Sequence, residues 1–273
     1  MSLIDTHTHL ESFAQRGVLP DVLARAQAAK VDRMIAIGTS PEDWDLYREL
    51  ARSHPGVVYY SVGLHPCSVD EGWESAVDQI ADFWTVAQNA SVGGLRPVAL
   101  GEIGLDRFHL PKSEPAAAEQ IFEWQRRAFA QGLSLAKKFD CPVVIHSRGA
   151  FAECVAMIDE SGVDWSKVVF HCFTEGEAEM AELMRRGGWG SFTGIITYKT
   201  AQNVRAAAQA QGLERLMIET DAPYLTPMPH RGKPNEPAFL RHTAEFCARE
   251  IFHVSDEQLS QTTTANARRF FGI

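Results

Sequence analysis

Eight short apolar runs, many of them rich in β-branched residues, alternate along the chain with longer segments of helical periodicity. This alternation is typical of repeated βαβ units, in which each crossover helix returns the chain to a parallel sheet. The predicted strands are Leu3–Asp5, Arg33–Gly38, Val57–Gly63, Pro97–Gly104, Pro142–Ser147, Lys167–Cys172, Trp189–Gly194 and Arg215–Asp221. The predicted helices are Pro20–Lys30, Pro41–Ser53, Glu74–Gln88, Pro115–Phe139, Ala150–Glu160, Glu175–Arg186, Thr200–Gln211 and Pro237–Arg249.

The number of repeats predicts the architecture. Eight strand and helix units can close into a (β/α)8 TIM barrel without exposed sheet edges, whereas the alternative, an open doubly wound sheet, usually has fewer strands. A chain of 273 residues is long enough for one such barrel. We therefore predict a single α/β domain over residues 1–273. Ser255 and Gln258 have the spacing of a capping box, which predicts an extra C-terminal helix packed outside the barrel by Phe270 and Phe271.

Composition excludes several classes of protein. The hydrophobic fraction of 45% and the charged fraction of 22% are those of a globular protein with a large core. The net charge of -9 argues against broad, non-specific nucleic-acid binding but leaves room for a small basic cleft. Five cysteines without a CxxC spacing indicate neither a disulfide framework nor a cysteine zinc site. Because the sequence shows neither a secretory signal nor a membrane span, we predict a cytoplasmic protein that does not contact a membrane.

Side chains that bind metals or transfer protons recur where the predicted strands end. In a (β/α)8 barrel the chemistry lies at the carboxyl ends of the strands, because the βα loops converge there. A single histidine at such a position is more often a core residue that is hydrogen-bonded to the backbone. Here, however, six strands each end in a potential ligand or proton carrier, which favours a functional site. The spacing of two between His7 and His9 turns both side chains to one face of an extended strand. The full set is His7, His9, His65, Glu102, His146, His171 and Asp221.

The two carboxylates of this set lie in or just after apolar strands. An ionised carboxylate is costly there unless a cation or hydrogen bonds compensate it. The alternatives are an arginine-paired buried glutamate for Glu102 and a capping or turn residue for Asp221. Imidazole and carboxylate ligands suit zinc or manganese, and magnesium where carboxylates and water dominate. Because the donors exceed the needs of one tetrahedral ion and Glu102 could bridge two, we predict two divalent metal ions, Mg, Mn or Zn.

Eight segments resemble, in order, motifs of the TatD family of metal-dependent hydrolases, which belongs to the amidohydrolase-like barrels. They cover nearly the whole chain and are LIDTHTHL, VGLHP, ALGEIGLD, PVVIHSR, FHCFT, IETDAPYL, HRGKPNEP and ANARRFFG. The ligands that the resemblance implies are His7, His9, Glu102 and Asp221 for one ion, and Glu102, His146 and His171 for the other. The resemblance also implies a deoxyribonuclease, a magnesium-dependent exonuclease on single-stranded DNA, with D-aminoacyl-tRNA hydrolysis in some relatives.

The predicted catalytic residues are Asp221 and His65. An activated water attacks the phosphorus or carbonyl centre, and Asp221 orients that water and accepts its proton. His65 either assists the leaving group or is a hydrogen-bond partner of a ligand. The alternative function is an amide or ester hydrolase, such as a D-aminoacyl-tRNA deacylase. A barrel that keeps its metals only for structure is a third hypothesis, which the complete ligand set disfavours.

A phosphodiester substrate needs cations near the metals. The predicted substrate-binding residues, each of which in isolation is more often a solvated charge, are Arg107, His109, Arg148, Arg231 and Lys233. Phe173, Tyr198 and Tyr224 either stack on bases of a single strand or simply pack. We predict nucleic acid, most simply single-stranded DNA, as the substrate, and a monomer as the state of the chain.

Overall fold

The computed structural model of the chain describes residues 2–85 and 95–273. Its eight strands lie in one sheet in sequence order, β1 to β8, and Thr8 at the end of the first strand pairs in parallel with Ala222 beyond the last. This order confirms the predicted (β/α)8 barrel. The strands are β1 (Leu3–Thr8), β2 (Val31–Ala36), β3 (Val58–Val62), β4 (Ala99–Asp106), β5 (Val143–Arg148), β6 (Val168–Phe170), β7 (Trp189–Phe192) and β8 (Met217–Ile218).

Helices alternate with the strands as predicted. They are α1 (Glu11–Gln15), α2 (Leu19–Ala28), α3 (Pro41–Ser53), α4 (Trp73–Thr85), α5 (Pro115–Phe139), α6 (Phe151–Ser161), α7 (Glu177–Arg186), α8 (Gln202–Gln211), α9 (Leu240–Phe246) and α10 (Asp256–Phe271). The predicted helix Glu74–Gln88 continues past Thr85 into residues that lie outside the described part of the chain. Within residues 2–85 and 95–273, no helix is long and apolar enough to cross a membrane.

The chain packs as two compact units, each assembled from separate segments of sequence. Unit one comprises Met1–Ala36, His54–Tyr59 and Phe170–Ile273, and unit two comprises Ile37–Ser53 and Tyr60–Val169. Each has its own apolar core. Buried core residues of unit one include Leu3, Phe192, Met217, Leu240 and Leu259, and those of unit two include Trp44, Leu100, Phe129, Leu133 and Val144. The single domain over residues 1–273 stays a prediction.

In unit one, a buried carboxylate joins the first strand to the segment after the last. The Asp5 carboxylate accepts hydrogen bonds from the Thr220 amide at 2.9 Å and from the Thr220 hydroxyl at 2.6 Å. Burial raises the pKa of Asp5 to about 7 despite these hydrogen bonds. The next residue, Asp221, donates its amide to the His7 carbonyl at 2.9 Å. This network holds two of the predicted ligands on adjacent backbone.

Strands β6 and β8 end earlier than the sequence predicts. β6 ends at Phe170 and β8 ends at Ile218, so His171 and Asp221 lie on irregular backbone rather than in the strands. Cys172 and Asp221 have φ angles of 45° and 54°, in the left-handed region. A strand cannot continue through that conformation. The chain therefore leaves the sheet directly at the positions where the predicted ligands lie.

In unit two, a glycine allows β4 to pass close to β5 at a predicted ligand. Gly104 lies opposite His146 in the parallel register and has a φ of 149°. A Cβ at this position would overlap the His146 carbonyl oxygen. Only glycine combines this backbone angle with this close approach. The GEIG segment is therefore shaped by contact with the next strand as well as by its glutamate.

The predicted extra C-terminal helix is α10. The Ser255 hydroxyl accepts a hydrogen bond from the Gln258 amide at 3.1 Å, as the capping pattern predicts. Further along, the Asn266 side chain donates to the Leu213 and Leu216 carbonyls, each at 2.9 Å. Phe270 and Phe271, both buried, complete the packing of this helix within unit one. The prediction of this helix and its apolar contacts is confirmed.

Candidate metal centre

Three donor atoms meet in unit one where β1 and β8 end. His7 Nε2 and His9 Nε2 lie 3.3 Å apart, and Asp221 Oδ1 lies 3.5 Å from the first and 3.2 Å from the second. The period of two along β1 brings the two imidazoles to one face, as predicted. Burial raises the pKa of Asp221, but the hydrogen bond from His9 and the charge of His7 outweigh it and hold this pKa below its ordinary value. The carboxylate is therefore ionised at neutral pH.

Three donor atoms also meet in unit two, from the middle of β4, from β5 and from the segment after β3. Glu102 Oε1 lies 2.7 Å from His146 Nδ1 and 3.4 Å from His65 Nε2. The two imidazole nitrogens are 3.1 Å apart. Glu102 is only 1% exposed, so its charge needs compensation from close partners. The structure thus brings His65 to the same point as two of the predicted ligands.

These separations allow a test of whether the residues fit a divalent ion. Ligands of a tetrahedral ion, with bonds of about 2.1 Å, lie about 3.4 Å from one another. The three separations in unit one, 3.2, 3.3 and 3.5 Å, match that spacing. Imidazole nitrogen with carboxylate oxygen is also a donor set that zinc, manganese and related ions accept. The residues present fit the predicted metals, while the number and identity of the ions stay predictions.

The two histidines of unit two differ in the hydrogen-bond partner of the outer nitrogen, which is the ring nitrogen that points away from Glu102. His65 Nδ1 accepts the Cys67 amide at 3.0 Å, so the neutral ring carries its proton on Nε2, the atom that faces Glu102. His146 lies between two carboxylates, with Nε2 3.1 Å from Asp106 and Nδ1 2.7 Å from Glu102. With its proton held toward Asp106, the ring presents the lone pair of Nδ1 to a cation bound together with Glu102. These assignments favour His146 as a ligand and His65 as a proton donor.

Asp106 is a functional candidate that the sequence analysis missed. It is fully buried, and besides His146 it binds His109, whose amide is 2.8 Å from Oδ1 and whose Nδ1 is 2.6 Å from Oδ2. Burial opposes ionisation, but the hydrogen bonds from both histidines hold the pKa of Asp106 well below its usual range. By contrast, burial and the Asp106 charge raise the pKa of the Cys67 thiol to about 12.

Glu219 is a second missed candidate. The ring of His171 stacks on that of His7 with the centroids 3.9 Å apart, and His171 Nδ1 is 3.4 Å from Glu219 Oε1. The Glu219 carboxylate also accepts the Cys172 amide at 2.7 Å and the Ser191 hydroxyl at 2.5 Å. Burial raises the pKa of Glu219, but the hydrogen bond from His171 and the charge of His7 bring it below its ordinary value. Glu219, the residue after β8, is therefore a candidate for orienting His171.

The predicted substrate-binding cations have different surroundings. The Arg107 guanidinium pairs with Glu153 and lies 3.7 Å above the Phe122 ring centroid, and His109 holds Asp106. Arg231 lies 4.2 Å above the ring of Tyr198. Arg148 and Lys233 are exposed. Binding of substrate by any of these side chains stays a prediction.

The aromatic residues proposed from the sequence as stacking platforms also differ. Phe173 is only 3% exposed, so of the two alternatives left open for it the structure supports packing, in the core of unit one. Tyr224 is 61% exposed, and its ring is 6.3 Å from that of His9. Tyr198 is half-buried and donates its hydroxyl to the Thr226 carbonyl at 2.9 Å. Of the three, Tyr224 is therefore the one with a ring open to a ligand.

A family model described as TatD related DNase matches residues 4–272 of the chain. The chain belongs to the TatD family. The matched span contains every donor atom described above and, apart from Leu3 at the start of β1, all residues of the eight strands. Several relatives are described as metal-dependent hydrolases, and the predicted resemblance is confirmed.

Three relatives of this TatD-family chain are similar to it over nearly its whole length. It is 34% identical to the uncharacterized metal-dependent hydrolase YcfH of Escherichia coli (strain K12), covering 100% of this chain and 97% of that protein. It is also 34% identical to the uncharacterized metal-dependent hydrolase YabD of Bacillus subtilis (strain 168), covering 99% of both. The 3'-5' ssDNA/RNA exonuclease TatD of Edwardsiella piscicida is 33% identical, with 99% of this chain and 100% of that protein covered.

A solved structure gives the same fold. The crystal structure of YjjV, a TatD homologue from Escherichia coli K12, superposes with a TM-score of 0.85 at 26% identity and covers 99% of this chain and 98% of that one. The chain is thus a metal-dependent hydrolase of the TatD family with a (β/α)8 barrel fold. The predicted cytoplasmic location and monomeric state stay predictions.

Proposed function

We propose that this TatD-family hydrolase is a divalent-metal-dependent deoxyribonuclease that shortens single-stranded DNA from its end. The observation that carries the proposal is the pair of donor groups, in each of which a carboxylate lies within 3.5 Å of two imidazole nitrogens. The similarity to a relative named as an exonuclease on single-stranded DNA and RNA supports the choice of substrate.

The proposed metal ligands follow the donor groups of the two units. In unit one they are His7, His9, Asp221 and, beside His7, His171, and in unit two they are Glu102 and His146. When bound, divalent ions bring the pKa of a water molecule toward neutrality and offset the charge of the phosphodiester. Mg, Mn and Zn are the candidate ions. Which residues share an ion stays the prediction made from the sequence.

Two side chains are proposed to move protons. Asp221, ionised and in contact with both histidines of its group, accepts a proton from the attacking water, whose oxygen forms the new bond to phosphorus. As the bond from phosphorus to the sugar oxygen breaks, His65 Nε2 donates its proton to that leaving oxygen. This role uses the tautomer that the Cys67 amide favours.

The proposal is tested by removing and restoring metal. The purified chain is stripped with chelator and returned to Mg, Mn or Zn separately, and the length of end-labelled single-stranded DNA is followed with time. We expect stepwise shortening that needs added metal and is lost in Asp221→Asn. An identically prepared Asp21→Asn protein, altered at an exposed position on α2, controls for contaminating nuclease.

The same preparations are assayed on D-aminoacyl-tRNA, because an activated water can attack a carbonyl as well as a phosphorus centre. Metal-dependent release of the amino acid without DNA shortening would replace the nuclease proposal by the deacylase alternative. Cleavage of neither substrate would contradict both.

A further inference from the structure

An exposed aromatic ring lies beside the unit-two donor group. Phe108 follows β4 two residues after Asp106 and is 54% exposed. In residues 2–85 and 95–273, only Tyr224 among the large hydrophobic side chains is more exposed. An exposed phenylalanine has no polar group to satisfy, so burial of its ring by a ligand is favourable.

The backbone on both sides of Phe108 is fixed. The amide of Arg107 donates to the Arg148 carbonyl at 2.9 Å, and the side chain of Arg107 is held by Glu153. On the other side, both the amide and the ring of His109 bind Asp106. The ring is therefore presented from an ordered segment, so little conformational entropy is lost when a ligand covers it.

Two positively charged side chains lie near the Phe108 ring. Lys112 Nζ lies 5.0 Å from the centroid of the Phe108 ring, and the Arg148 guanidinium carbon lies 5.5 Å from it. Both side chains are exposed. A flat apolar surface with two positive charges at its edge matches a ligand that is flat and apolar at one point and anionic next to it. A nucleotide within a single strand has this composition, since its base offers a stacking face and its flanking phosphates carry the charge.

The ring is also close to the proposed chemistry. The His109 ring meets the Phe108 ring edge to face at 4.9 Å, His109 binds Asp106, and Asp106 binds the proposed ligand His146. We propose that Phe108, with Arg148 and Lys112, is a base-stacking subsite for an unpaired nucleotide next to the bond that is cut. This inference rests on the proposed nuclease function and deepens it. It selects single strands, because the faces of bases inside a duplex are already stacked.

Binding is measured by fluorescence anisotropy with chelator present, so that no hydrolysis takes place. The probes are a labelled single-stranded DNA and an oligonucleotide of the same length in which every base is absent. We expect Phe108→Ala to weaken binding of the normal strand by about tenfold, the effect of one lost stacking contact, and to leave binding of the abasic strand unchanged. Phe108→Trp should restore binding of the normal strand. Arg148→Ala should weaken binding of both strands and reduce its dependence on salt.

A matched control is Tyr59→Ala in β3, which also removes an aromatic ring with an arginine 6.0 Å from its centroid. It should bind both strands as the unaltered chain does. Equal binding of the normal and abasic strands by the unaltered chain, or an unchanged affinity in Phe108→Ala, overturns the subsite. No binding of either strand overturns it as well.

The metal-loaded enzyme separates this inference from the proposed function. For Phe108→Ala we expect a raised KM for single-stranded DNA at unchanged kcat. If the unaltered enzyme binds single strands through Phe108 but no metal restores hydrolysis, the nuclease proposal fails while the subsite stands. If hydrolysis is restored but KM does not change in Phe108→Ala, the subsite fails alone.

Discussion

The donor groups of the two units contain the same residue types but are organised differently. In unit one, two imidazole nitrogens share contact with one carboxylate at nearly equal separations. In unit two, the outer nitrogen of one histidine faces a carboxylate and that of the other faces a backbone amide. A carboxylate fixes a lone pair on the inner nitrogen, whereas an amide fixes a proton there. In the proposed mechanism, the partner of the outer nitrogen is therefore what distinguishes His146, the proposed ligand, from His65, the proposed proton donor.

The largest expected effect is that of Asp221→Asn in unit one. The amide keeps the shape of the side chain but removes a ligand charge and the proton acceptor, so we expect kcat on single-stranded DNA to fall by roughly a thousandfold or more. The metal content per chain, measured by mass spectrometry of the purified protein, should fall at the same time. If the Asp221→Asn protein kept its full metal content and its full activity, Asp221 would be neither a metal ligand nor the proton acceptor.

His65→Ala tests the difference within unit two directly. Loss of a proton donor should lower kcat on DNA by about a hundredfold to a thousandfold, with the metal content unchanged. The loss should be much smaller on a nitrophenyl phosphodiester, whose leaving group needs no proton. His146→Ala is the comparison, since it should lose metal and be impaired on both substrates. Loss of metal in His65→Ala would show that both histidines are ligands.

Asp106→Asn should have a smaller effect that acts through His146. The amide can turn either an oxygen or an NH2 group toward Nε2, so the ring is oriented less firmly. We expect metal affinity, measured by calorimetric titration of stripped protein, to weaken by about tenfold to a hundredfold. Activity should recover when metal is in excess. A loss of activity that excess metal does not restore would assign Asp106 a different role.

Thr220→Val has the smallest predicted effect. It tests the hydrogen bond to Asp5 that joins β1 to the segment after β8 in unit one. The change removes the hydroxyl that donates to Asp5 at 2.6 Å but keeps the volume of the side chain. We expect the free energy of unfolding, measured by urea titration, to fall by about 1 to 3 kcal/mol, because a buried acceptor loses its partner. Thr220→Ser retains the hydroxyl and is the control. Equal stability of both variants would show that the Asp5 contact contributes little.

Asp106 and Glu219, which the sequence analysis missed, show which properties of the site can be predicted from sequence. Glu102 was found because a carboxylate inside an apolar strand needs compensation, and Glu219 in LMIETD carries the same signal. Asp106 at the end of ALGEIGLD is an equally buried acid. Both could have been predicted as site residues. Their roles could not, because those depend on the distances to His171 and His146, which are remote in sequence.

The sequence by itself determined the fold class, the family and the residues that offer donor atoms. These follow from periodicity and from ordered motifs, which are local properties of the chain. Only the tertiary structure decided that His65 joins Glu102 and His146, that Arg107 is paired with Glu153, that Phe173 is buried and that Phe108 is open. Each of these depends on which groups from distant segments come within hydrogen-bond or van der Waals distance, and that distance is set by packing rather than by local sequence.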